Sequence, residues 1–343
     1  MLWIRNPPSE VPRIGVFVCE CSGNISRVVD TTSIAESVRD LSGIVYASPI
    51  RYACTEEAAS IMEEAITSYG INRLVLASCA CCSFDRICTS CSPQRVRNKF
   101  TLFDRLGLPR NSVEPINIRE QCAWVHSHDP EGATRKAQVL VGMAVARVQG
   151  LPLREWRDRP IVTLPDPDRC RGCGTCVEVC EFGASRLTSH LEYMEELKGW
   201  TVHPRERFAE IDPSLCKGCG TCVAFCETGG LEMEPFGATQ MVATIRRARD
   251  SGVHPLVIGF ACQWGGYAAL EVAGMARVSY PAGLHWVTVP CTGRLDAGLL
   301  IKAFEWGGDG VLIASCEVES CHYRFGSRRA AENLFKARNL LAL

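Results

Sequence analysis

Apolar runs alternate with amphipathic stretches along the first part of the chain. The runs are continuous enough for buried strands, and the stretches between them have helical spacing. These elements fall at residues 13–19, 31–41, 43–54, 55–70 and 72–79. Thr55 predicts an N-terminal cap for the second helix, and Gly70 predicts its end. Such a pattern is typical of a parallel sheet covered on both faces by helices.

A second set of alternating elements follows in the last third of the chain. Its helices and strands fall at residues 238–252, 254–262, 266–276, 284–291, 296–308 and 309–316. A long helix at 132–150 leads out of the first set, and the prolines after it are typical of a linker. These prolines are Pro152, Pro160, Pro165 and Pro167. The pattern therefore predicts two α/β units with a different segment between them.

The composition adds one informative residue type, because 21 of the 343 residues are cysteine. An odd number of cysteines in a chain of this length fits poorly with a disulfide framework. The formal net charge of -1 gives no electrostatic case for binding nucleic acid or an anionic membrane. With no long apolar run and no signal-peptide pattern, we expect a cytoplasmic protein without a membrane span.

Cysteines stand at the ends of the predicted strands in both outer units. They are Cys19, Cys54 and Cys79 in the first unit, and Cys262, Cys291 and Cys316 in the last. Because ligands collect outside the carboxyl ends of parallel strands, these thiols are candidates to converge on one crevice in each unit. The alternative is that each cysteine is a small buried hydrophobe. Because the pattern occurs in both units, we favour a ligand role for these cysteines over a packing role.

The central segment carries two copies of one cysteine motif, CRGCGTCVEVC and CKGCGTCVAFC. Both have the spacing of bacterial two-cluster ferredoxins, in which the fourth cysteine of each run binds the other 4Fe-4S cluster. The first cluster is then assigned to Cys170, Cys173, Cys176 and Cys226. The second is assigned to Cys216, Cys219, Cys222 and Cys180. Structural zinc is the alternative, but eight thiolates exceed what one zinc site needs.

Two details of these motifs bear on the clusters. Gly172, Gly174, Gly218 and Gly220 allow the loop to fold closely and to aim N–H groups at sulfur. The residue after each fourth cysteine is Glu181 or Glu227 instead of the usual proline. An unscreened carboxylate there is expected to lower the reduction potential of the neighbouring cluster.

The last unit resembles the delta subunit of methyl-viologen-reducing hydrogenase over nearly all of residues 252–343. The resemblance lies in GFACQWGGYAALEVAGMARVSYP, VPCTGRLD and DGVLIASCEVESCHYRFG. It implies one 2Fe-2S cluster, and Gly265 stands where the family commonly has a further cysteine. The remaining candidates are Cys262, Cys291, Cys316 and Cys321. A Rieske-type site through His322 ranks lower, because such sites use two histidines.

The first unit resembles the N-terminal domain of the heterodisulfide reductase A subunit, through GVFVCECSGNI, IRYAC, NRLVLASC and NIREQCAWVH. The resemblance implies an atypical 4Fe-4S cluster, here assigned to Cys19, Cys21, Cys54 and Cys79, with Cys81 and Cys82 as rivals of Cys21. The other cysteines are candidates for a fourth 4Fe-4S cluster, for exposed thiols of low pKa, or for an inert role. They are Cys81, Cys82, Cys88, Cys91 and Cys122.

The predicted fold class is α/β and α+β, with two parallel-sheet α/β domains flanking a bacterial-type two-cluster ferredoxin domain. The predicted domains are residues 1–150, 151–238 and 239–343. The heterodisulfide reductase A family also has a FAD domain, but no G-x-G-x-x-G motif follows a strand here, so we expect no FAD on this chain.

The resemblances together imply an electron-transfer subunit with three 4Fe-4S clusters and one 2Fe-2S cluster. Its expected partners are a FAD-containing heterodisulfide-reductase-like subunit and a hydrogenase or formate dehydrogenase. Any electron bifurcation would take place on the FAD-containing partner. Two alternatives remain. One is direct reduction of a disulfide or persulfide by the stretch from Cys79 to Cys91, and the other is a zinc-bound scaffold. No catalytic acid or base can be placed from the sequence.

Overall fold

The first unit is built on a four-stranded parallel sheet. The computed structural model describes residues 11–79, 105–108, 112–151, 162–189, 207–233 and 236–342. The strands are β1 (Ile14–Cys19), β2 (Ile44–Ile50), β3 (Arg73–Ser78) and β4 (Val113–Asn117). They lie in the order β2-β1-β3-β4, and all neighbours are parallel. The predicted parallel sheet is therefore confirmed.

The strand β4 was not predicted from the sequence. Its Pro115 pairs with Leu76 of β3 at the edge of the sheet. Because proline lacks an N–H, it is tolerated on edge strands, and its presence argues against a strand when only the sequence is read.

Helices cover both faces of this sheet. They are α1 (Thr31–Ser37), α2 (Glu56–Tyr69) and α3 (Pro130–Gln149). Val16 and Val75 belong to a core shared with α1 and α3, whereas Phe17 and Leu74 belong to a core shared with α2. Alternate residues of the strands thus serve opposite faces, which explains why the runs are apolar throughout.

The predicted ends of α2 are confirmed. The side chain of Thr55 accepts a hydrogen bond from the N–H of Ala58, and Gly70 closes the helix at φ 59°. A left-handed φ of this kind is easily adopted only by glycine. The adjoining strand β3 therefore begins directly after a tight turn.

The central segment consists of short elements around the two cysteine motifs. Its strands are β5 (Thr163–Pro165), β6 (Ser185–Ser189), β7 (Arg207–Ile211) and β8 (Leu231–Met233), and its helical turns are α4 (Thr175–Glu178) and α5 (Thr221–Ala224). β5 pairs with β8, and β6 pairs with β7, both antiparallel. Pro165, which was predicted to lie in a linker, instead ends β5 and pairs with Leu231. Pro152 and Pro160 of the predicted linker lie outside the described residues.

The last unit contains a three-stranded parallel sheet. Its strands are β9 (Val257–Cys262), β10 (Leu284–Val289) and β11 (Gly310–Ala314), in the order β10-β9-β11. Its helices are α6 (Ala238–Asp250), α7 (Gly265–Met275), α8 (Ala297–Glu305) and α9 (Gly326–Leu341). The sheet has the same strand order as β2-β1-β3, since the first strand along the chain is central in both.

The two α/β units pack directly on each other through α3. This helix contacts α6 and β10 of the last unit as well as β3 and β4 of the first. Val16 of β1 and Phe260 of β9 accordingly belong to one continuous apolar core. Gly142 of α3 faces Arg247 of α6, where an added Cβ would lie 3.0 Å from the Nε atom. Among the helices that the structure describes, none is both long and apolar enough to cross a membrane.

Candidate iron-sulfur sites

The strand-terminal cysteines of both sheets gather at the carboxyl edge of the strands. Cys19 and Cys262 are the last residues of the two central strands. Cys79 and Cys316 follow β3 and β11, and Cys291 follows β10. Cys54 departs from the prediction, because β2 ends at Ile50 and Cys54 lies in the turn before α2.

Cys21 lies within hydrogen-bonding reach of two other cysteines assigned to the N-terminal cluster, Cys19 and Cys79. Interactions with Cys19 and Cys79 lower the pKa of Cys21, whereas the same contact with Cys21, together with burial, raises the pKa of Cys19. The N–H of Ala53 donates to Sγ of Cys19 over 3.4 Å. That bond places Ala53 beside Cys19, and the next residue, Cys54, is exposed.

An arginine that no sequence motif marks lies on this group. The guanidinium of Arg119 donates to Sγ of Cys21 over 3.6 Å and pairs with Glu120 at 2.6 Å. It also lies 4.4 Å from the ring centroid of Trp124. All three residues belong to one π-helical turn, Arg119–Trp124. The segment NIREQCAWVH contains all of them. The sequence marks only its cysteine as a candidate ligand, because an arginine that acts on a thiol follows no characteristic spacing.

Cys122 of the same turn lies in a different environment. It is fully buried, and burial raises the pKa of its thiol to about 12. Its charged neighbour is the buried Lys136. The hypothesis of an exposed thiol of low pKa is therefore wrong for Cys122. Cys81, Cys82, Cys88 and Cys91 lie outside the described residues.

The first ferredoxin group brings together the cysteines predicted to do so. Burial raises the pKa of Cys176, and its neighbouring thiols are Cys170, Cys173 and Cys226. Cys170, Cys176 and Cys226 also lie in one apolar cluster with Phe208. The fourth cysteine of the second motif thus crosses over to the first group.

The second group shows the same exchange. Burial raises the pKa of Cys222 to about 12, and the neighbouring thiols are Cys219, Cys216 and Cys180. Burial also raises the pKa of Cys219. Cysteines bind metal as deprotonated thiolates, and burial opposes their deprotonation. A bound cation is therefore needed to offset the cost of burying the thiolates. Glu181 and Glu227 are both exposed, where water screens their charge.

The loops of both motifs have the backbone that the glycines predict. Gly172, Gly174, Gly218 and Gly220 have φ angles of 66°, 86°, 67° and 77°. The N–H groups of Gly172 and Ala209 donate to Sγ of Cys170 over 3.4 and 3.3 Å. Backbone donors of this kind stabilise thiolate charge, and the donor set fits iron-sulfur clusters.

No three His, Cys, Asp or Glu side chains within the described ranges converge closely enough to bind a single metal ion. The thiolates of a cubane bind separate iron atoms and need not meet at one point.

The C-terminal group joins cysteines from three parts of the last unit. Sγ of Cys262 lies 3.6 Å from Sγ of Cys316. Burial raises the pKa of Cys291, whose neighbouring thiols include Cys321 and Cys262. Burial acts to raise the pKa of Cys321, but hydrogen bonds, the largest of them with Ser327, outweigh burial and lower the pKa. All four predicted cysteines therefore face one another.

Glycines and backbone donors complete this group. The N–H of Gly266, at the start of α7, donates to Sγ of Cys262 over 3.1 Å. An added Cβ at Gly326 would lie 2.0 Å from Sγ of Cys291, so only glycine leaves room there. At Gly265 an added Cβ would lie 2.8 Å from Cα of Cys316. This close approach leaves room for no side chain at position 265.

His322 lies beside this group but is held by an aromatic stack. Its ring is stacked on Trp264 with centroids 3.5 Å apart. Tyr323 meets the His322 ring edge-on at 4.7 Å. The sequence marks these residues only as neighbours of Cys321 and Gly265, so the stack could not be predicted.

The second ferredoxin motif contacts the C-terminal group directly. The turn Thr292–Arg294, which follows Cys291, packs on α5 of that motif. At Gly293, an added Cβ would lie 3.0 Å from Oγ1 of Thr221. Cys219 is also the first neighbouring thiol to act on Cys291. No large side chain fits between these two backbones.

Known proteins match different parts of the chain. The family model of the methyl-viologen-reducing hydrogenase delta subunit matches residues 257–343. The family model of the 4Fe-4S dicluster domain matches residues 169–231. The second match confirms the predicted ferredoxin segment, and the first confirms the resemblance of the last unit.

Curated relatives include the A subunits of heterodisulfide reductases. One is an iron-sulfur A subunit of the CoB–CoM heterodisulfide reductase of Methanopyrus kandleri, which is 39% identical over 141 residues, or 41% of this chain and 20% of that protein. Another is the A subunit of the ferredoxin:CoB–CoM heterodisulfide reductase of Methanosarcina mazei, which is 37% identical over 188 residues, or 54% of this chain and 22% of that protein. The chain thus spans about a fifth of the length of these relatives.

These matches agree with the resemblances and with the cysteine groups. The chain is an iron-sulfur protein that joins a segment similar to heterodisulfide reductase A subunits with a 4Fe-4S dicluster domain and a methyl-viologen-reducing hydrogenase delta-subunit domain.

Proposed function

We propose that this chain is an electron-transfer subunit of a heterodisulfide-reductase-like complex. Its cysteines hold three 4Fe-4S clusters and one 2Fe-2S cluster in our assignment. When bound, such clusters supply one-electron transfer. The relay connects a flavoprotein partner with a hydrogenase-type or formate-dehydrogenase-type partner.

The contact between the second ferredoxin motif and the C-terminal group carries this proposal. The α5 turn packs on the turn after Cys291, where an added Cβ at Gly293 would lie 3.0 Å from Oγ1 of Thr221. Such close packing of the two backbones suits electron transfer between two redox groups. Metal storage alone would not require this packing between the two groups.

The protein's own groups contribute charge stabilisation and exclusion of water. N–H groups of Gly172, Gly266 and Gly293 donate to cysteine sulfurs. Cys170, Cys262 and Cys291 are buried, which limits access of water and oxidants to their sulfurs. Both effects adjust the reduction potential of a bound cluster.

The partners follow from the relatives. The curated relatives are named as heterodisulfide reductase A subunits, one of them from a hydrogen-dependent heterodisulfide and ferredoxin reductase. We propose that FAD is carried by a partner protein, that the partners are a heterodisulfide-reductase-like flavoprotein and a hydrogenase or formate dehydrogenase, and that the complex is cytoplasmic.

Iron and acid-labile sulfide should be measured on the anaerobically purified chain, together with EPR spectra. We expect about 14 iron atoms per chain, the sum of three cubanes and one 2Fe-2S cluster, while about 18 would reveal a fourth cubane. Zinc with little iron and no sulfide would refute the proposal. Turnover of a disulfide or persulfide by the isolated chain with an artificial reductant would favour the catalytic alternative.

A further inference from the structure

A buried arginine, three residues after Cys291 of the C-terminal group, packs against the loop of the second ferredoxin group. Arg294 ends the turn that begins after Cys291, and only 2% of its surface is exposed. Its side chain packs on the loop of the second motif, since an added Cβ at Gly220 would lie 2.9 Å from its Cδ atom. The aliphatic stem thus lies against the loop that leads to Cys222.

The charge of Arg294 has little compensation from the surrounding protein. Its Nη1 atom lies 3.7 Å from a carboxylate oxygen of Asp296, whose side chain is 38% exposed. Its buried Nε atom has no hydrogen-bond partner among the described residues. Glu232 and Cys222 also act on it electrostatically. Arginine keeps its proton inside proteins, so a full positive charge stays buried here.

A purely structural role accounts poorly for this arrangement. Burying a guanidinium costs several kcal/mol unless a close anion compensates it. A half-exposed carboxylate at 3.7 Å supplies only part of that compensation. Glu232 and Cys222 are the other acidic groups that act on Arg294, and the ligand set that contains Cys222 becomes anionic when it holds a cluster.

We propose that Arg294 is an electrostatic positioning residue that raises the reduction potential of the cluster bound by the second ferredoxin group and so favours electron transfer from the C-terminal cluster to it. The proposal rests on the proposed function, because it requires clusters at both sites. Reduction adds one electron and one negative charge to a cluster. The fixed positive charge stabilises that form, and no proton moves because Arg294 stays charged throughout.

The test is a redox titration of the anaerobically purified full chain, with dithionite as reductant and EPR as readout. We expect Arg294→Gln to shift the midpoint potential of the second-group cluster downward, and Arg294→Lys to shift it less. Asp296→Asn should shift it upward, because it removes the competing anion and can still cap α8 through its side-chain oxygen. Arg186→Gln is the control, since Arg186 is 68% exposed beside Glu210.

The outcomes separate the two proposals. If the wild-type chain lacks the cluster signals, the proposed function fails. If the signals are present and both Arg294→Gln and Asp296→Asn leave all midpoint potentials unchanged, the role of Arg294 is refuted. Should Arg294→Gln lose iron, the shifts of Arg294→Lys and Asp296→Asn decide the question. If Arg186→Gln shifts the midpoint potential of the second-group cluster as much as Arg294→Gln does, the proposal is also overturned.

Discussion

The Sγ atoms of Cys262 and Cys316 lie 3.6 Å apart, although 54 positions separate the two residues in the chain. Cys262 ends the central strand β9, and Cys316 follows its parallel neighbour β11. Parallel strands end at one edge, so their terminal residues meet without any local turn. The pair is the structural basis for the C-terminal cluster assignment.

Replacing Cys262 by serine should remove the C-terminal cluster. We expect a loss of about two iron atoms per chain and of the 2Fe-2S EPR signal, because a serine is a poor substitute for a thiolate ligand. The ferredoxin signals should remain. Iron quantitation and EPR on the purified variant provide the measurement.

Cys122→Ser is the matched control, because Cys122 is equally buried but lies against Lys136. It should keep the iron content of the wild type. Loss of the 2Fe-2S signal in Cys122→Ser, or its retention in Cys262→Ser, would contradict the assignment.

Gly172→Ala should prevent the first ferredoxin group from forming. An added Cβ would lie 2.3 Å from the carbonyl oxygen of Arg207, and φ is 66°. The loop must therefore move away from β7, which shifts Cys170 and Cys173. We expect loss of about four iron atoms per chain, measured by iron analysis.

Gly183→Ala is the control for Gly172→Ala, because it introduces the strain of a left-handed φ without a steric clash. Gly183 has φ 62°, but an added Cβ meets nothing within 4 Å. This variant should cost only about 1 kcal/mol in stability and keep its iron. Equal iron loss in both variants would show that strain alone disrupts the motif.

Lys136→Met should stabilise the protein at pH 7. Burial lowers the pKa of Lys136 from 10.5 to about 8, so at pH 7 the charged form carries its full burial cost, about 3 kcal/mol. The variant loses the hydrogen bond that Nζ donates to Nε2 of His126 over 3.2 Å and the contact of Nζ with the Tyr280 ring, 4.1 Å from the centroid. The net gain should be about 1 to 2 kcal/mol, seen as a higher thermal unfolding temperature.

The neighbouring Arg135→Gln is its control on the same helix. Its side chain is 65% exposed, and its pair with Glu131 is long, at 3.8 Å. That change should leave the unfolding temperature nearly unaltered. If Lys136→Met unfolds at a lower temperature than the wild type, the charge is better compensated than the contacts indicate.

Stability should fall as the pH drops below about 6.5. Burial lowers the pKa of His126 from 6.5 to about 4 and that of His285 to about 3. In that window the unfolded chain binds protons that the folded chain does not, so acid favours unfolding. Thermal unfolding of the iron-loaded protein between pH 4 and 8 measures this dependence.

His285→Leu should make this pH dependence shallower, because it removes one of the two buried imidazoles. Above pH 7 both imidazoles are neutral, so the curves of variant and wild type should run parallel there. An unchanged slope between pH 4 and 6.5 would contradict a neutral, buried His285.

The sequence alone predicted the features that depend on residues close together in the chain. Apolar runs identified β1, β3, β9 and β11, because each strand is recorded in five or six consecutive positions. Thr55 and Gly70 identified the ends of α2, since caps are local. The two ferredoxin motifs identified their own cysteine groups, because three ligands lie on one loop.

Only the tertiary structure decided the features that depend on contacts between distant segments. Pro115 in β4, the burial of Cys122 beside Lys136, and the packing of Arg294 on the second ferredoxin motif depend on such contacts. The shared core around α3 and the packing of α5 on the turn after Cys291 likewise join residues that no local pattern relates. Local patterns record how a segment folds, whereas the relative placement of segments results from burying their apolar faces together.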